Sequence, residues 1–206
     1  MKNNAFTISV HMPDGDPESL QLITTMNWAG MGIRFTRKHW ETLKERDELQ
    51  RGGVYILHGH HKGEPESKIY VGQSHNLSVR ISEHCKSHAS FWNVGLAFVL
   101  NTANSGELDR TKLLWLEHKV IEMASGMGQG IVKNVRKERE PHLDQATKNE
   151  CHEFFLEMKR IIRMHVFSVS LAVMTETVSQ VEAEEVEREA DQDDWLDSTF
   201  STILGN

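Results

Sequence analysis

"KIYVGQSHNLSVRISEHC", residues 68 to 85, changes its hydrophobic period halfway along. Ile69, Tyr70 and Val71 are β-formers in an extended run that stops at Gly72. A polar turn follows, and Asn76 is a good N-cap for a helix on which Leu77, Ile81 and Cys85 recur every four residues. The stretch therefore predicts a strand, a turn and a helix. On that helix Arg80 and His84 are four apart and share a face, which this reading sets roughly opposite the buried one.

Working outward, "GGVYILHG" from Gly52 reads as a second strand. The connection "HGHHKGEPES" holds two glycines and a proline, so the two strands are expected to pair antiparallel as a hairpin with a long, wet loop. The apolar run "VGLAFVL" (94–100) predicts a third, buried strand. "LDRTKLLWLEHKVIEMA" then predicts a helix capped by Asp109, with Leu113, Leu116, Val120 and Met123 at helical spacing and Glu117 among them. "NVRKEREPHL" reads as a charged loop, and "NECHEFFLEMKRIIRM" as a last amphipathic helix. Residues 1 to 50 are mixed, with apolar alternation in "FTISV", turn signals in "MPDGDPES" and a helical "RKHWETLKERDELQ". No chemistry is assigned to them from sequence.

The 206 residues, 38% hydrophobic and 26% charged, suit one globular domain with additions. No basic start leads into an apolar run, and no stretch approaches the roughly 20 apolar residues of a membrane span, so a cytoplasmic protein without membrane contact is expected. Cys85 and Cys151 are too few for a disulfide scaffold or a four-thiolate zinc site. The net charge of −7 is concentrated near the C-terminus, where residues 176–197 hold ten acids against Arg188 alone. Taking these from the chain's 30 acids and 23 bases leaves a body with an excess of two positive charges. Such a body can bind a polyanion, and an acidic tail can compete with it as a phosphate mimic. Like-charged runs are usually solvated, and the tail is expected to be partly disordered.

Phosphodiester cleavage needs an activated water, a positive group for the charge developing on phosphate and often a divalent cation for the leaving oxygen. Strand hydroxyls, a helix-borne arginine and an isolated carboxylate would supply these. With Gly53-Val54-Tyr55 on one strand, Tyr70-Val71-Gly72 on the next, then Arg80, His84 and Glu117, the chain resembles the GIY-YIG nuclease superfamily, with Val in both middle positions. The match runs from about Gly52 to Asn134. The resemblance implies an α+β fold, a small three-stranded antiparallel sheet flanked by helices. It implies an N-terminal extension over 1–51, a nuclease-like domain over 52–134, a helical addition over 135–170 and the acidic tail over 171–206.

It further implies an endonuclease acting on DNA with Mg²⁺ or Mn²⁺. Tyr55 would be the general base or water-positioning hydroxyl, Tyr70 a second hydroxyl, Arg80 the phosphate clamp, His84 a participant in proton transfer, and Glu117 the metal ligand. Gly72 would allow close backbone approach, and Asn134 would be a late polar residue near the site. A single site cuts one strand at a time, so duplex cleavage calls for a homodimer or two events.

Plainer readings stand beside these. Strand tyrosines are ordinary core residues, Arg80 would serve equally in a surface ion pair, and Glu117 would be satisfied by Lys112, Arg110 or Lys119. His58, His60 and His61 lack partners at zinc-finger spacing and fit a solvated loop. Trp92 is core or a stacking platform. The same fold could also hold nucleic acid or a protein without catalysis.

Overall fold

Between Gly53–Gly59 (β4) and Lys68–Ser74 (β5) the backbone pairs antiparallel, with Tyr55 opposite Gly72 and Leu57 opposite Tyr70. The chain then enters α2, Leu77–Lys86, crosses into β6, Trp92–Leu100, and continues into α3, Arg110–Gly126. The computed structural model describes residues 5–60, 66–87, 91–101, 108–126, 131–133 and 140–165. Met1–Ile162 form one compact unit, and a second begins at Arg163. Asn134, His61 and the acidic tail lie outside the described residues.

The hairpin and the third strand appear as expected, but the sheet is much wider than the predicted three strands. β1 (Ile8–His11), β2 (Leu20–Thr25) and β3 (Gly30–Thr36) precede the hairpin, and a two-residue β7 (Ile131–Val132) follows α3. The order is β1-β2-β3-β6-β4-β5-β7, antiparallel throughout except for the parallel β5–β7 pair. All seven residues of β3 pair with β6. β6 is a central strand, its backbone groups paired by β3 on one edge and β4 on the other.

One face of this sheet carries a continuous core of Leu20, Met31, Ile33, Phe35, Tyr55, Leu57, Ala97 and Val99, closed over by Trp40, Leu43, Leu77 and Ile81 from the helices. Phe35 lies at its centre, with its ring 5.0 Å from Trp40 and 6.2 Å from Trp92. Gly95 is directly opposite Phe35, and a Cβ there would meet the ring at 2.2 Å, so the glycine makes room for the aromatic. On β3, a Cβ at Gly30 would meet Trp28 at 2.2 Å and Phe154 at 2.7 Å, and one at Gly32 would touch Ile161 at 3.4 Å. These glycines admit α4, helical over 145–162 in this unit, against the other face of the sheet.

Asn76 caps α2 as expected, its side-chain oxygen accepting from the Val79 amide at 3.0 Å. Asp109 does the same for α3, accepting from Thr111 and Lys112 at 2.8 and 3.0 Å. The helix expected over "RKHWETLKERDELQ" is shorter: a 3-10 turn, Arg37–His39, leads into α1, Trp40–Leu43, and turns follow. The turns have a use, since the carbonyls of Leu49 and Arg51 accept the amides of Ser78 and Leu77, donors at the start of α2 that the helix itself leaves unpaired. Among the described residues no helix is long and apolar enough to cross a membrane.

Candidate active site

Strand pairing fixes the first half of the site. Tyr55 and Tyr70 point to the same face of the β4–β5 hairpin, with ring centroids 6.2 Å apart and nearly stacked. Gly72 lies beside them because a side chain there would collide with Tyr55: its Cβ would sit 2.4 Å from the Tyr55 hydroxyl.

The second half comes from α2. Seven residues separate Leu77 from His84, about 700° of helix and within roughly 20° of two full turns. His84 therefore does not lie opposite the buried face, as the four-residue pairing with Arg80 implied, but beside it. Its ring reaches 4.7 Å from Tyr70 and 5.7 Å from Tyr55, and its Nε2 is 2.9 Å from the Tyr55 hydroxyl. Arg80, one turn earlier, is exposed and paired with Glu83 at 2.6 Å. The Cys85 thiol beside His84 is pushed up by burial, away from a reactive thiolate.

The electrostatics separate the roles of these groups. Tyr55 is 0% exposed, and burial first, then the neighbouring Tyr70, raises its pKa well above the ordinary phenol value against the opposing pull of Arg80. Phenolate is therefore disfavoured, and Tyr55 stays a hydroxyl. Burial first, then the Arg80 charge, lowers the pKa of His84, while Glu83 opposes this. His84 is thus held as neutral imidazole at pH 7, half-buried above a fully buried phenol. The bond has two tautomeric forms: with the phenol donating, Nε2 is the acceptor, and with Nε2–H donating to the Tyr55 oxygen, Nδ1 carries the free lone pair.

Glu117 is 3% exposed on the buried face of α3, beside Leu113, Leu116, Val120 and Ile121, and that helix packs against β5 and β4. Of its expected neighbours, Lys112 bonds Glu150 at 3.4 Å and Lys119 bonds Glu122 and Glu140 at 3.0 and 3.1 Å. The described residues contain no group of three or more His, Cys, Asp and Glu side chains able to hold a metal by themselves. A divalent ion at Glu117 would take one carboxylate and complete its shell with water, which suits Mg²⁺ rather than zinc.

One further expectation resolves differently and another is met. His58 belongs to β4 and shares a hydrogen bond of 2.6 Å with Ser67, so it closes the hairpin. Trp92 is 1% exposed and is a core residue rather than a stacking platform.

Tyr55, Tyr70 and His84 thus share one face, with Arg80 close enough to act electrostatically on both Tyr55 and His84. No protein-family model matches the chain, and neither curated proteins nor solved structures yield a match.

Proposed function

We propose that the chain is a divalent-metal-dependent endonuclease that hydrolyses phosphodiester bonds in DNA. The observation that carries this reading is the 2.9 Å hydrogen bond between Tyr55 and His84, which holds a neutral imidazole beside a second tyrosine and an arginine. In this reading His84 is the general base, Tyr55 the positioning residue that fixes its ring, and Tyr70 the hydroxyl that orients the attacking water.

Water oxygen forms the new bond to phosphorus as Nδ1 of His84 takes its proton, and the bond to the leaving nucleotide oxygen breaks. Arg80 grips the non-bridging oxygens, where its planar fork serves better than a lysine. It must release Glu83 to do so, and an exposed pair of this kind holds by only about 0.2–1 kcal/mol. A metal at Glu117 would supply positive charge to the leaving oxygen.

The test is nicking of supercoiled plasmid with Mg²⁺, with Mn²⁺ and with EDTA. Metal-dependent nicking by the wild type, lowered at least about 100-fold in Arg80→Ala and in Glu117→Ala, is the expected outcome. Nicking that survives in pure Glu117→Ala would eliminate the single-carboxylate metal site.

The full burial of Tyr55 and the Arg80–Glu83 pairing favour a second reading, a binding module for nucleic acid or a protein on the same fold. It predicts salt-dependent binding to DNA that stays intact with either metal.

A further inference from the structure

By the C-terminal end of α2 lies an open groove of about 620 Å³. Three consecutive bases, Arg37, Lys38 and His39, line it, with Thr36, Asn93 and a single acid, Glu18. The groove is tied to α2 directly. Arg37 donates to the carbonyl of Cys85 at 3.2 Å, and Trp40 donates from its indole nitrogen to the hydroxyl of Ser82 at 3.0 Å. Cys85 is the residue after His84, so the helix that carries the base also anchors the wall of the groove.

The wall is fixed rather than loose. Arg37 lies over the face of Trp92, 5.7 Å from the ring centroid, and the Thr36 hydroxyl donates to the Glu18 carbonyl at 2.9 Å and meets Nδ1 of His39 at 2.9 Å. Lys38 is exposed. The groove thus presents Arg37 and Lys38, with the carboxylate of Glu18 in its lining and that of Asp16 4.0 Å from His39.

We infer that this groove binds backbone phosphate of the DNA whose scissile phosphate occupies the Arg80 site. The inference rests on the proposed nuclease reading and adds a second point of contact. Arg80 and Cys85 are five residues apart on α2, about 7.5 Å along its axis. Along that distance one strand of a duplex rises through about two nucleotides at roughly 3.4 Å each. A strand laid along α2 with one phosphate at Arg80 thus brings another, about two nucleotides away, to Arg37 and Lys38. Such a contact carries no sequence information; it sets the register of the strand on the enzyme.

The experiment measures binding of a labelled DNA duplex by fluorescence anisotropy across a salt series with EDTA present, beside plasmid nicking, for the wild type, Lys38→Glu and Glu18→Gln. Both substituted side chains are exposed and leave the core alone. Lys38→Glu is expected to weaken binding about 10-fold at 0.1 M salt and to flatten the slope of log K against log salt by roughly 1, the share of one phosphate contact. Glu18→Gln is expected to tighten binding. Opposite, salt-dependent changes from two neighbouring variants are not what a folding defect produces. If the wild type binds and nicks but both variants keep its affinity and salt slope, the groove is overturned while the nuclease reading stands. If the wild type shows no salt-dependent binding at all, both fall together.

Discussion

His84 and Tyr55 depend on each other. The imidazole is held neutral by burial and by Arg80, so the sign of its pH dependence is fixed. A base whose pKa is lowered keeps its reactive, neutral form to lower pH than a free imidazole, which titrates near 6.5. Cleavage is therefore expected to fall on acidification, as His84 takes up a proton, at a lower pH than a free imidazole would dictate. Proton NMR of the His84 ring should give a midpoint below 6.5, and Arg80→Gln, by removing a neighbouring positive charge, should raise it. A midpoint unmoved by that substitution would mean that Arg80 does not act on the imidazole. From sequence, Arg80 and His84 were legible as partners on one helix, but not the direction of the imidazole. The helical repeat places His84 next to Leu77, and only the hairpin packed beneath shows that tyrosines await it there.

At the scale of single elements, legibility followed locality. The hairpin, α2, β6 and α3 declare themselves through caps and periodicity within a few residues. β3 does not. Its "GMGIRFT" gives no strand signal, because Gly30 and Gly32 are there for Trp28, Phe154 and Ile161, two of them more than 120 positions away. Glycine weakens a strand locally, and nothing in a short window reveals the helix that needs the space. The cap on α2 carries a consequence of its own. Its side chain accepts from Val79 and also donates to Gln50 at 3.1 Å, so Asn76 fixes both the start of the helix and the turn that feeds it. Asn76→Ala should destabilise the protein by about 1 kcal/mol in denaturant melts. Because α2 carries Arg80 and His84, nicking should fall as well, whereas an unchanged melt would show that the Leu49 and Arg51 carbonyls suffice to begin the helix.

For the whole molecule, the expected narrow sheet implied that residues 52 onward could stand alone, and the observed pairing argues otherwise. Met31, Ile33 and Phe35 share one buried core with Tyr55, and β3 pairs with β6 from Val94 to Leu100. Removing residues 1–51 would bare that edge together with the apolar face behind it, the condition under which strands aggregate. A fragment spanning 52–162 is therefore expected to be insoluble or to lack a cooperative melt. A soluble, cooperatively folding fragment would mean that the first three strands are an accessory layer.

The 2.4 Å approach between the Tyr55 hydroxyl and the space a Cβ would fill at Gly72 makes the two positions a lock and its key. Any side chain at 72 is expected to push the phenol aside, and with it the support on which the imidazole of His84 rests.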